Sequence, residues 1–220
     1  MNTEKVLILN IPKKKKKNKE MIIMRKNYLL LLFIGFLITG CQEQEEGSDD
    51  PAGDWSYYHG GPGRNQYSSL TQINRENVRE LEVAWTFRTM DIDSNDRTQI
   101  QCNPLVIDGV LYGTTPKLKC FALDAGTGEE LWRFEPKTSG SFNFSMGVNR
   151  GLTWWEEGDD RRIFYIAGHF LYALDAATGE PVSSFGDEGM VNIKVGLGPD
   201  ALKHFVNGTS PGVVYKDKII

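Results

Sequence analysis

Arginine and amide side chains have the donors to grip an oxygen-rich ligand. Arg150, in Asn-Arg-Gly-Leu (149–152), carries a guanidinium whose planar fork offers paired donors at fixed spacing, which suits adjacent oxygens. Gln101, in Thr-Gln-Ile-Gln-Cys-Asn-Pro (98–104), carries an amide that can donate and accept without adding charge. Each also has a plain structural reading, as a surface ion pair and as a surface amide at a strand start. Cys102 and Cys120 could in principle form a disulfide. They open strands that are next-but-one neighbours, so they are expected about 9.6 Å apart. A disulfide reaches only about 7 Å between Cα atoms, and two buried free thiols are expected instead.

The elements that position these residues come from an internal repeat. Leu123-Asp124-Ala125 and Thr127-Gly128-Glu129 recur 51 residues later as Leu174-Asp175-Ala176 and Thr178-Gly179-Glu180. In the first copy, 103–115 holds two apolar runs around Asp108-Gly109, a strong hairpin signal. Residues 119–125 give a third strand and 129–136 a fourth. The second copy is expected to place strands at 161–168, 170–176 and 180–186, and a third copy starts at 210–220. Residues 73–81 read as a short capped helical turn and 82–87 as a strand. Four-stranded sheets repeating about every 50 residues, with no long helical period, point to an all-β propeller.

Charge divides the chain. Residues 1–40 hold nine Lys or Arg and two acids, whereas 41–220 hold 16 and 27. So acidic a body lacks the basic face that a nucleic-acid partner requires. The run at 12–20, Pro-Lys-Lys-Lys-Lys-Lys-Asn-Lys-Glu, could be a lipid- or nucleus-directed patch. It precedes a complete export signal: Arg25 and Lys26, then ten apolar residues from Leu29 to Ile38. Translation could therefore start at Met21 or Met24. The division expected is 1–40 as signal peptide, 41–54 as an acidic tether and 55–220 as the propeller part. Leu-Ile-Thr-Gly-Cys (37–41) resembles the lipobox of bacterial lipoproteins. The resemblance implies lipidation at Cys41, and two or more acyl chains would hold the domain stably at a membrane. The expected location is the periplasmic face of a membrane or the cell envelope.

Three stretches resemble the dehydrogenases that use pyrroloquinoline quinone. The opening segment 60–87 matches their phrase at Tyr67, Ser68, Leu70, Gln72, Ile73, Asn77, Val78, Leu81, Ala84 and Trp85. Gln101 matches a Gln that faces the quinone in membrane-type glucose dehydrogenases, where methanol-oxidising members carry Glu. Arg150 matches the Arg of an Arg-Gly signature that bonds the quinone. The stretch Ala122-x-Asp124-x-x-Thr127-Gly128-x-x-x-Trp132 resembles the family's tryptophan-docking motif, in which an indole packs between Ala and Gly of a neighbouring blade. The second copy has Ser183 at the indole position. Phe144-Ser145 stand where alcohol-oxidising members carry adjacent cysteines, which favours the sugar-oxidising branch; Met146 stands where glucose enzymes carry a His.

The resemblance implies an eight-bladed quinoprotein β-propeller, of which this chain supplies about two and a half blades. It implies pyrroloquinoline quinone and a Ca²⁺ or Mg²⁺ as cofactors, a sugar or alcohol as substrate, and a quinone or cytochrome as electron acceptor. The metal ligands and the general-base Asp are expected beyond residue 220, and Asp91, Asp93 and Asp108 match no such motif. These 220 residues alone are expected to be inactive. The alternative is a non-catalytic propeller lipoprotein that scaffolds outer-membrane protein assembly. It would explain the repeats and Cys41 but not the opening phrase or Asn-Arg-Gly-Leu.

Overall fold

The computed structural model describes residues 5–10, 53–61, 63–91, 99–137 and 148–220. β1 (Lys5–Asn10) and β2 (Glu82–Arg88) form an antiparallel pair, with Lys5 opposite Arg88 and Asn10 opposite Glu82. β1 thus lies within the segment read as an export leader. A single turn of 3-10 helix, Val78–Glu80, leads into β2. It is prepared by Asn74 Oδ1, which accepts from the Glu76 and Asn77 amides, while Asn77 Oδ1 accepts from the Asn74 amide.

The first blade is β3 (Leu105–Ile107), β4 (Val110–Thr114), β5 (Cys120–Asp124) and β6 (Glu130–Phe134), hydrogen-bonded in that order. Asp108 and Gly109 close the β3–β4 hairpin with φ of 49° and 76°, as the primed turns demand. β4 and β5 are buried on both faces, which is why they read as nearly unbroken apolar runs.

The second blade is β7 (Thr153–Glu157), β8 (Asp160–Ala167), β9 (Phe170–Asp175) and β10 (Met190–Asn192), again antiparallel and in sequence order. Two expectations are corrected here. Residues 180–186 are not the last strand. They make one bridge to β9, Leu174 to Pro181, and then turn away, Gly186 bridging forward to Met190. Pro181 has no amide to extend a ladder, and Gly186 and Gly189 take positive φ in the turn that follows. The outer strand is instead β10, and β7, which the sequence did not signal, is the inner one. β11 (Val214–Tyr215) and β12 (Lys218–Ile219) form the expected third hairpin, with Lys216 at φ 56°.

The repeated phrase builds the β5–β6 turn and its counterpart after β9. Asp124 Oδ1 accepts from the amides of Gly126 (3.0 Å) and Thr127 (2.7 Å) and from the Thr127 hydroxyl (2.9 Å). Asp175 Oδ1 does the same with Ala177, Thr178 and the Thr178 hydroxyl. Asp and Thr therefore recur for their local bonding to the turn backbone.

The sheets pack face to face. Leu105, Tyr112 and Ala122 of the first blade share one core with Ile163, Tyr165 and Leu174 of the second. On the other face of the first blade, Leu111, Phe121 and Leu123 pack under Trp85 and Phe87 of β2. Each layer is fastened by an indole. Trp85 of β2 donates to the Ala125 carbonyl at 3.1 Å, and its ring lies over Gly128. Trp132 of β6 donates to the Ala176 carbonyl at 3.0 Å, and its ring lies over Gly179. A Cβ on either glycine would stand 2.5 Å from the ring, and both have positive φ, so only glycine fits. β2 bears to the first blade the relation that β6 bears to the second. The architecture is all-β and propeller-like.

Candidate cofactor site

The site forms where the first strands of successive blades begin. The Asn103 amide, two residues before β3, donates to the Arg150 carbonyl at 2.9 Å. The Arg150 amide, ahead of β7, donates to the Thr209 carbonyl at 2.8 Å. Thr209 lies ahead of β11, so three blade starts are joined in one line. Arg150 is exposed, and its Nη1 donates to the Thr209 hydroxyl at 2.6 Å. Gln101 is exposed two residues before Asn103. The structure thus brings the strand starts that carry Gln101 and Arg150 to the same end of adjacent blades. Gly151 allows the close approach: a Cβ there would lie 2.8 Å from the Tyr58 ring and 3.3 Å from the Asn103 carbonyl oxygen.

Behind Arg150 the support is buried. Asn149 is 2% exposed and bonds to both blades: its Nδ2 donates to the Ile166 carbonyl at 3.0 Å, and its Oδ1 accepts from the Gly151 amide at 2.9 Å and the Thr114 hydroxyl at 3.4 Å. His169, at the β8–β9 turn of the same end, is buried. Burial pushes its imidazole below the usual value, and the nearby charge of Lys194 adds to this. Beneath this end, a cavity of about 280 Å³ lies between the opening segment and the inner strands, lined by Tyr57, Tyr58, Arg64, Thr153 and Val213.

Cys120 is buried, Cys102 is half-buried, and both thiols are free. Burial raises both, Cys120 the more strongly; the bond between Cys102 and Thr114 partly offsets the effect at Cys102. Neutral, inert thiols result.

Of the docking residues, Ala122 is fully buried and sits opposite Trp132 in the β5–β6 register. Gly128 receives Trp85 rather than Trp132, whose own glycine is Gly179. Ser183 is exposed. Cys41, Phe144, Ser145 and Met146 lie outside the described residues. Sequence reasoning missed Thr209, Asn149 and the docking role of Trp85. Thr209 had one signal, its place just before the third repeat. Among the described residues, no three His, Cys, Asp or Glu side chains gather as a metal site, and no helix is long and apolar enough to cross a membrane.

The chain is similar to known proteins. Over 190 residues the chain is 31% identical to quinoprotein glucose dehydrogenase A of Acinetobacter calcoaceticus, covering 76% of this chain and 24% of that protein. It is 40% identical over 140 residues to the dehydrogenase subunit of a quinone alcohol dehydrogenase of Komagataeibacter europaeus, covering 62% and 18%. The crystal structure of quinohemoprotein alcohol dehydrogenase from Comamonas testosteroni superposes with a TM-score of 0.60 at 27% identity, covering 76% of this chain and 22% of that one. The chain therefore spans about a quarter or less of the length of these relatives. The family of the glucose/ethanol/alcohol dehydrogenase β-propeller domain, associated with pyrroloquinoline quinone, matches residues 55–220. With two blades of this propeller and the joined blade starts in view, the chain belongs to that family.

Proposed function

We propose that these blades belong to a dehydrogenase that oxidises a sugar, glucose-like, or an alcohol with pyrroloquinoline quinone and passes electrons to a quinone or cytochrome acceptor. The observation that carries this reading is the unspent charge of Arg150. Among the described residues no carboxylate pairs with it, the residue is exposed, and Thr209 fixes one nitrogen. Pyrroloquinoline quinone carries three carboxylates and two adjacent carbonyl oxygens, so a cation beside a neutral amide is a fitting donor set. Arg150 would bind these oxygens, Gln101 would orient the ring edge, and the tie to Thr209 would keep the guanidinium from following solvent. The cofactor, when bound, supplies the two-electron oxidation itself.

In this reading the Ca²⁺ or Mg²⁺ ligands and the general-base Asp lie beyond residue 220. Cys41 carries the lipid anchor, and 42–54 is the tether that holds the domain at a periplasmic membrane face. The test is reconstitution. The full-length protein, given pyrroloquinoline quinone and Ca²⁺, should bind the quinone and reduce an artificial acceptor dye on addition of glucose or ethanol. Failure to bind the quinone would sink the reading and favour a non-catalytic scaffold.

A further inference from the structure

We propose that Asn149 is the positioning residue for the Arg150 guanidinium; this rests on the quinone reading of the site. Arg150 projects from the surface and would by itself sample many rotamers. Its backbone is nonetheless held on both sides. Asn149 and Gly151 flank it and are tied to each other by the Gly151 amide donating to Asn149 Oδ1 at 2.9 Å. That short loop fixes the direction in which the intervening side chain leaves the backbone.

The carboxamide also reaches out of its own segment. Its Nδ2 donates to Ile166 of β8, and its Oδ1 accepts from Thr114 of β4 in the first blade. One buried side chain therefore sets Arg150 relative to both blades. A carboxamide suits the place, because it offers a donor toward Ile166 and an acceptor toward Gly151 and Thr114. Thr114 lies on β4, which pairs with β3, so the same side chain reaches the sheet whose first strand follows Gln101.

The experiment uses the full-length protein and titrates pyrroloquinoline quinone in the presence of Ca²⁺, following tryptophan fluorescence. Asn149→Ala should weaken quinone affinity by about tenfold or more, as loss of a group that orients a ligand-holding side chain does. It should add almost nothing in an Arg150→Ala background, because it acts through Arg150. Asn149→Ser can keep the local bond to Gly151 but not the bond to Ile166, and should fall between. It also keeps the test alive should the alanine variant fold poorly. An equal loss of affinity in both backgrounds would overturn the proposal, as would a lower melting temperature with unchanged affinity. A wild type that binds no quinone would remove the quinone reading. The role of Asn149 would then be decided by phenylglyoxal modification of Arg150, mapped by mass spectrometry. Faster modification in the Asn149→Ser protein supports it, and an unchanged rate overturns it.

Discussion

Trp132 donates its indole N–H to the carbonyl oxygen of Ala176, 3.0 Å away in the next blade. The same ring covers Gly179, three residues on, so one side chain supplies both a hydrogen bond and a close-packed face across the blade boundary. Adding a methyl at Gly179 would damage this joint twice. The left-handed backbone, φ 73°, costs about 1–2 kcal/mol for a non-glycine residue. The clash with the indole adds roughly 1–3 kcal/mol of overpacking. Gly109→Ala is the control, since its φ is 76° but nothing lies near its Cβ position. Urea unfolding should show Gly179→Ala as clearly the worse of the two. Equal losses would mean that the indole contact contributes nothing.

The turn at Asp124 should make stability acid-sensitive. The Thr127 hydroxyl and amide, with the Gly126 amide, hold the Asp124 carboxyl below its usual value of 3.8. The folded state therefore binds this proton less readily than the unfolded chain. The stabilisation is present above that value and is lost as pH falls through the lower, folded one. Asp124→Asn keeps an acceptor for Thr127 but does not titrate. Melting temperatures followed from neutral pH into the acid range should fall less steeply for this variant than for the wild type. Parallel curves would contradict the assignment.

At high pH the corresponding group is Tyr112. Burial, above all, pushes its hydroxyl from 10 to about 12. A raised value means that the folded state holds the proton longer. Stability is thus intact below pH 10 and declines as pH rises from 10 toward 12. Tyr112→Phe loses a long bond to the Ala176 carbonyl, 3.3 Å, which still accepts from Trp132. It should cost no more than about 1 kcal/mol at neutral pH and blunt the alkaline loss. An unchanged alkaline profile would count against burial as the cause.

The two propeller thiols should be slow to react. Burial keeps Cys102 and Cys120 protonated and shielded. A thiol-specific disulfide reagent should label Cys120 only after denaturation, and Cys102 much more slowly than a free thiol. Rapid labelling of Cys120 in the native protein would be inconsistent with its position in the core.

The sequence was most legible where bonding is local. The Asp108-Gly109 hairpin and the Asp-x-x-Thr-Gly turns close within a few residues, so their types and spacing announce them. Docking was half legible. The motif joins Ala122, Gly128 and Trp132 within one copy, but Trp132 finds Gly179 in the next, and Gly128 receives Trp85 from the strand before. Spacing within a repeat does not show which neighbour is met. β10 was hidden because Pro181 and the turn glycines delay the outer strand past the point where the repeat predicts it. In the candidate site, Arg150 stood out by type and motif. Its partner Thr209, 59 residues away, is set by blade-to-blade pairing and left little local trace.

The central claim is that Arg150, held by Thr209, binds an anionic quinone. Equilibrium titration of pyrroloquinoline quinone into the full-length wild type and its Arg150→Lys variant, with Ca²⁺ present, tests it most directly. Lysine keeps the charge but loses the fork. The account predicts saturable binding by the wild type and affinity at least about tenfold weaker for the variant, a difference of about 1.4 kcal/mol. Equal affinities, or no binding by the wild type, would contradict it.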